Sequence, residues 1–261
     1  MSKRKKSILI EMIIGIIPAR LKSKRLPNKP LQMIDGLPLI VHVLKRSSLS
    51  KRLDKIIVCT DSVKVVDLVK KFNYEAYLTS KKITNGTDRI SIFLKKYKKK
   101  FRKLKLVVDI QCDEIFLNPN YLDITIDFHL KNIEKYEVVI PHTLTNETNN
   151  KNFVKIISNE NNNILYLTRA DAPHPFRCKF KPLKRHQDFI TFNPNFIKNF
   201  HNLKNRNLEK YEGIELLRAI ENGFKIGTIK FKNDSFSINT KKDVLKSITL
   251  IQKDKLRKSY K

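Results

Sequence analysis

Apolar residues fall into two alternating patterns along the chain. MIIGIIPA, from Met12, is a short unbroken apolar run, as expected of a strand covered on both faces. PLIVHVLKRSS then sets Leu39, Ile40, Val43 and Leu44 at helical spacing on one side, and Pro38 suits a first helical turn. KIIVCT predicts a second strand, and DSVKVVDLVKKF an amphipathic helix with Asp61 and Ser62 as capping candidates. EAYLT, TDRISIFLKKYKKK, KLVVDIQ, NPNYLDITIDFHLKN and YEVVIP carry the alternation onward. Such alternation predicts an α/β fold with a mainly parallel sheet flanked by helices. The middle breaks the rhythm: FVKIISNENNNILYLTRA has two strand-like runs around an Asn-rich turn, a hairpin excursion, and HQDFITF predicts one further strand. LEKYEGIELLRAIENG and KKDVLKSITLIQ then predict helices around a last strand, KIGTIKF. With no linker and no repeat, the expectation is one domain over residues 11–252, with basic, mobile ends at 1–10 and 253–261.

Charge alters this picture little. The 54 Lys and Arg against 25 Asp and Glu leave +29, which suggests nucleic acid or anionic membrane as a partner. The excess is nevertheless dispersed, from SKRKK through KKYKKKFRKLK and KFKPLKR to KDKLRKSYK, among many Asn and Ile. That distribution reads as compositional drift, so no specific nucleic-acid partner is expected. Cys59, Cys112 and Cys178 show no paired spacing, which fits a reducing cytoplasm. SKRKK before ILIEMIIGII imitates a signal peptide, but Glu11 interrupts the run and no small-residue cleavage site follows. The run is also too short to span a bilayer.

The candidate chemistry begins after the first strand. IIPARLKSKRLPNKPL, residues 16–31, holds Arg20, Lys22, Lys24, Arg25 and Lys29 among Pro18, Pro27 and Pro30. The prolines forbid a regular helix, leaving a stiffened basic loop suited to an anion. No Walker loop or dinucleotide fingerprint is present, so a phosphate grip must come from turn N–H groups and these side chains.

This stretch resembles the nucleotide signature of sugar-acid cytidylyltransferases, most closely the 3-deoxy-manno-octulosonate cytidylyltransferase (CMP-Kdo synthetase) family. The resemblance continues in order through VCTD, NGTDR, DIQCDE, VKIISNENNNILYLTRADAP and LEKYEGIELLR, and covers roughly residues 13–250. It implies a Rossmann-like nucleotide-diphosphosugar transferase fold, and homodimers formed through the central excursion. It further implies Mg²⁺-dependent transfer of CMP from CTP to a 2-keto-3-deoxy sugar acid, most simply Kdo of lipopolysaccharide biosynthesis, with release of pyrophosphate. By the same resemblance Arg20 and Lys29 hold the triphosphate, where fixed cations stabilise charge building on the phosphates. Pro18, Ala19, Arg25, Arg89 and Gln111 complete the nucleotide set, although Arg25 also reads as a residue that orients the loop, and Lys22 and Lys24 as ordinary surface charges. Gly86 lets backbone approach a ligand ahead of Arg89 at a helix start, with Asp88 as a dipole partner. Asp113 and the amide oxygen of Asn239 are the implied Mg²⁺ ligands, with Asp113 alternatively part of an acidic turn that caps the next segment. Gln111, Arg169, His186, Glu209 and Glu212 are the implied sugar-acid residues, with Glu212 and Glu215 alternatively plain helix-surface charges.

Three departures qualify the match. Cys112 stands where the family has Gly, QDFITF follows His186 in place of a Gly and a Tyr, and Asn239 replaces an Asp. They leave open a cytidylyltransferase for another acid, such as amino-Kdo or a nonulosonic acid, or a nucleotide-binding homologue with impaired catalysis. An RNA-binding module rests on net charge alone, without interleaved aromatics.

Overall fold

The computed structural model describes residues 11–23, 25–177, 182–187, 189–204, 207–232 and 236–260; Lys24, Cys178 and the first ten residues lie outside these. The chain opens with β1 (Met12–Ala19), a hairpin of β2 (Met33–Ile34) and β3 (Leu37–Pro38), and α1 (Leu39–Ser47). Next come β4 (Lys55–Thr60), α2 (Val63–Lys71), β5 (Glu75–Leu78), α3 (Gly86–Lys96), β6 (Leu104–Ile110), α4 (Pro119–Lys131) and β7 (Val138–Thr145). The excursion is β8 (Lys155–Ser158) and β9 (Ile164–Thr168), followed by β10 (Leu183–His186) and β11 (Phe189–Phe192). The last third holds α5 (Pro194–Asn199), α6 (Asn207–Glu212), α7 (Leu217–Glu221), β12 (Ile226–Lys230) and α8 (Lys241–Lys253).

One mixed sheet runs β5-β4-β1-β6-β11-β7-β10-β8-β9, with β12 on the other edge of β7. β5, β4, β1 and β6 are parallel, as are β7 and β12, whereas β11 is antiparallel to both β6 and β7. Ile13 and Ile17 of β1 belong to one apolar layer with α1, α2 and α4; Ile14 and Ile16 belong to the other with α3 and α5. This double coverage explains the unbroken apolar run of β1. Ligands of such sheets gather at the carboxyl ends of the parallel strands, where β1 and β6 hand over to their loops.

Several expectations are corrected. HQDFITF does not make one strand: β10 ends at His186 and β11 starts at Phe189, because β10 pairs with β7 and β8 while β11 inserts between β6 and β7. LEKYEGIELLRAIENG is two short helices, broken at Gly213, whose φ of +62° lies in the left-handed region that favours glycine. Neither Asp61 nor Ser62 caps α2 through its side chain, and Pro38 sits at the cap position of α1 rather than inside it. The C-terminal segment expected to be mobile is docked: Asp254 pairs with Arg46, Arg257 Nε lies 2.9 Å from Asp35 Oδ2, and Tyr260 is buried edge-on to His42. Among the described residues no helix is long and apolar enough to cross a membrane.

Candidate active site

The basic loop is held from both ends. The Leu21 N–H donates to Asp61 Oδ1 at 2.9 Å, so the residue after β4 pins the start of the loop. Leu26 is buried, and a 3-10 turn over Lys29–Leu31, entered from left-handed Asn28, closes the other end. The turn directs the Lys29 ammonium onto the Asp113 carboxylate, 84 residues away in sequence, and to within 3.3 Å of Asn239 Oδ1. Burial, the largest single influence, depresses the lysine pKa, but the Asp113 charge, Cys112 and the hydrogen bond to Asp113 together turn the net direction upward, so Lys29 stays cationic. Arg25 reaches across the cleft, donating to Asn152 Oδ1 at 2.9 Å and Asn239 Oδ1 at 3.0 Å.

Two cavities meet at this point. The larger, about 870 Å³, is lined by Pro18, Arg20, Lys22, Arg25, Lys29, Gly86, Arg89, Gln111 and Asp113. It gathers most of the expected nucleotide set and adds Lys22, expected as a plain surface charge. Ala19 does not line it; its methyl is wholly buried in the core. Arg89 forms part of the wall, but its guanidinium is committed to Thr79 Oγ1 and to the Ser80 and Ile83 carbonyls, so it shapes the 79–83 loop rather than offering a free fork. Gly86 is needed for packing as much as for access, since a Cβ there would meet Pro18 Cγ at 3.3 Å. Cys112 lines the same cavity, and burial beside Asp113 pushes its thiol up to about 12, so it stays protonated.

The smaller cavity, about 310 Å³, carries both signs of charge: Asp109, Asp113 and Glu215 line it with Arg25, Arg169 and Arg185, beside Gln111 and His186. Arg169 is held by neutral acceptors, Nε on the Glu212 carbonyl at 2.9 Å and Nη1 on the Lys151 carbonyl at 2.9 Å, so its charge is left to act on the cavity. Arg185 lies 3.6 Å over the Phe153 ring. Burial, with Arg185 and Arg169 adding to it, lowers the His186 pKa to about 4, so this ring is neutral near pH 7. Arg25, Gln111, Asp113, Glu215 and Asn239 line both cavities, which makes them the wall where two ligands would meet.

The acidic motif departs from expectation. Glu209 lies outside both linings: it is buried against Arg218 at 2.6 Å, in a cluster that also takes Asp88 at 2.8 Å. Glu212 also turns away, accepting from Thr168 Oγ1 at 2.6 Å and the Arg169 N–H at 2.8 Å, and so positions the arginine. Glu215 is the acid that faces the cleft, accepting from the Gly86 and Thr87 N–H groups at 3.1 and 2.8 Å. It caps the first turn of α3, a favourable place for a carboxylate. The break at Gly213 turns Glu215 away from Glu212, which spacing alone does not reveal. Asp109 was missed too, although a charge inside LVVDIQ is a visible anomaly in a doubly covered strand.

Known proteins resemble this chain in sequence and fold. The cytidylyltransferase family model covers residues 14–226. A 3-deoxy-manno-octulosonate cytidylyltransferase of Thermodesulfovibrio yellowstonii is 34% identical over 243 residues, covering 88% of this chain and 94% of that one. The chain belongs to the cytidylyltransferase family. A second protein of the same name, from Nitratiruptor, is 29% identical over 235 residues, covering 88% of this chain and 96% of its own. Among solved structures, CMP:2-keto-3-deoxy-manno-octonic acid synthetase complexed with CTP aligns with a TM-score of 0.85 at 24% identity, over 93% of this chain and 99% of that one. At that identity the likeness establishes the fold, a Rossmann-like nucleotidyltransferase sheet. A cytidylyltransferase is a CTP-dependent nucleotidyltransferase, and the basic loop with the cavity it lines is the feature of this chain suited to a triphosphate.

Proposed function

We propose that this cytidylyltransferase activates Kdo, a 2-keto-3-deoxy sugar acid, with CTP, giving the CMP-sugar and pyrophosphate for lipopolysaccharide assembly. The carrying observation is the pair of cavities with a common wall, one lined mainly by basic side chains and the other by both acidic and basic ones. A triphosphate suits the first; a carboxylate with a hydroxylated chain suits the second. The anomeric oxygen of the acid attacks the α-phosphorus from the smaller cavity, and the bond to the departing pyrophosphate oxygen breaks on the larger side. Arg20, Lys22 and Lys29 stabilise charge on the phosphates. Arg169 attracts the sugar carboxylate, and the Gln111 amide lies between the two ligands.

The donors around Lys29 also fit a divalent ion of the Mg²⁺ type. Asp113 and the Asn239 amide oxygen both approach the lysine ammonium, so a cation is already stabilised between these hard oxygens. Among the described residues no group of three or more His, Cys, Asp or Glu has metal-holding geometry. Two protein oxygens suit an ion that takes the rest of its shell from phosphate and water. Mg²⁺ bound there would neutralise phosphate charge, with Lys29 moving from Asp113 toward the triphosphate.

A cytoplasmic homodimer completes the reading. Leu144, Leu165 and Phe176, on or beside the excursion, are exposed large apolar side chains, as a self-association surface requires. The test is pyrophosphate release from each of the four nucleoside triphosphates with Kdo in Mg²⁺. CTP-selective release that depends on Kdo is expected; release without selectivity, or none with any 2-keto-3-deoxy acid, overturns the proposal.

A further inference from the structure

Asp109 is the acidic side chain of β6, and the mechanism above does not use it. It sits next to last in the strand, paired in register with Ile16 of β1 and Ile190 of β11, and is 1% exposed. Its carboxyl lines the smaller cavity, 4.0 Å from where a Cβ on Gly86 would stand. Gln111 Nε2 donates to Oδ2 at a long 3.3 Å, and Oδ1 meets no hydrogen-bond partner among the described residues. Its nearest charged neighbours, Glu215 and Asp113, are both acidic and both engaged elsewhere, Glu215 by α3 and Asp113 by Lys29. A buried carboxyl oxygen left unpaired is expensive, and nothing in the fold of β6 calls for one. Burial and the two acidic neighbours raise its pKa well above the ordinary carboxylate range. A carboxyl whose neutral form is favoured can both give and take a hydrogen bond.

We infer that Asp109 is a specificity residue, whose Oδ1 pairs with a hydroxyl on the carbon chain of the sugar acid in the smaller cavity. This deepens the proposed function and rests on it. Arg169 and Arg185 in that cavity suit the carboxylate, which leaves Asp109 and Glu215 of the same lining for the hydroxylated chain. The ligand completes the hydrogen bonding that the fold leaves open, so selectivity arises from one oxygen that only a correctly placed hydroxyl satisfies.

Kinetics with CTP and Kdo on wild type, Asp109→Asn and Asp109→Leu test this. Asp109→Leu is expected to lower kcat/KM for Kdo by about 30-fold or more, from one lost hydrogen bond and a hydroxyl left unpaired, while KM for CTP stays within about twofold. Asp109→Asn, which keeps an acceptor oxygen, should lose less than about tenfold. Among monodeoxy analogues of Kdo, one should be used equally by wild type and Asp109→Leu, identifying the partner hydroxyl. Thermal unfolding supplies the second readout: both variants should melt at or above the wild-type temperature, because an unpaired buried carboxyl has been removed. A lower melting temperature for Asp109→Leu, a loss shared by CTP, or equal losses on every analogue would overturn the inference while leaving the proposed function standing. Absence of turnover with wild type and Kdo would overturn both.

Discussion

The nucleotide side and the acceptor side of the cleft are built in opposite ways. The nucleotide side is largely one continuous stretch, residues 18–29, stiffened by its own prolines and pinned at Asp61. Its cations are plentiful, and Arg20, Lys22 and Arg25 are exposed. The acceptor side is assembled from many separate pieces, among them the end of β6, the Asn152–Val154 segment, the end of β9, β10, and the break between α6 and α7. Its charges are half-buried and depend on one another, as Glu212 does in positioning Arg169. A single stiff loop tolerates loss of one cation better than an assembled wall tolerates loss of one support. Lys29 is the exception, because it lines the nucleotide cavity while paired to Asp113, which lines both.

The largest effect is therefore expected at Lys29. Lys29→Ala should lower kcat/KM for CTP by about 10²- to 10³-fold, the scale of removing one stabilising donor from a developing anion. Steady-state pyrophosphate release checks this, and a loss no larger than that of Lys22→Ala would erase the distinction between the two residues. Next, Arg169→Lys keeps the charge but loses the planar fork that holds the Glu212 and Lys151 carbonyls. It should raise KM for the sugar acid about tenfold and leave KM for CTP unchanged. Equal changes in both would show that the two cavities are not separable.

Asn239→Asp sharpens the comparison at the common wall. Adding a carboxylate beside Asp113 should lower the apparent Mg²⁺ requirement several-fold, by roughly 1 kcal/mol of added attraction for the ion. A Mg²⁺ titration reads it directly, and an unchanged requirement would remove Asn239 from the metal site. Glu215→Gln should be milder, since the amide oxygen still accepts from one of the two α3 N–H groups. A loss of about 0.5–1 kcal/mol in stability is expected, with a few-fold rise in KM for both substrates.

The smallest effect concerns His186. Its folded pKa near 4 lies below the unfolded value, so the unfolded chain takes up the proton first. The stability it contributes is present above about pH 6.5 and falls as pH drops toward 4. Above about pH 5 the ring should leave no inflection in the pH profile of kcat/KM. An inflection near 6.5 that disappears in His186→Gln would place a charged imidazole on the acceptor side instead.

The sequence by itself determined the alternation of strands and helices, the unbroken run of β1, the stiff basic loop and the acidic turn after β6. These are local properties: strand and helix periods, proline restrictions and a strand-end position follow from neighbours along the chain. Only the tertiary structure decided that Lys29, Asp113 and Asn239 meet, that Arg89 serves the 79–83 loop, and that Glu215 rather than Glu209 or Glu212 faces the cleft. It also split HQDFITF between two strands, because β11 lies antiparallel between β6 and β7. The physical reason is common to all of these. A charged side chain takes the partner that a distant segment brings within hydrogen-bond reach, and Asp88 finds Arg218 and Glu212 finds Arg169 only once the fold has set those segments side by side.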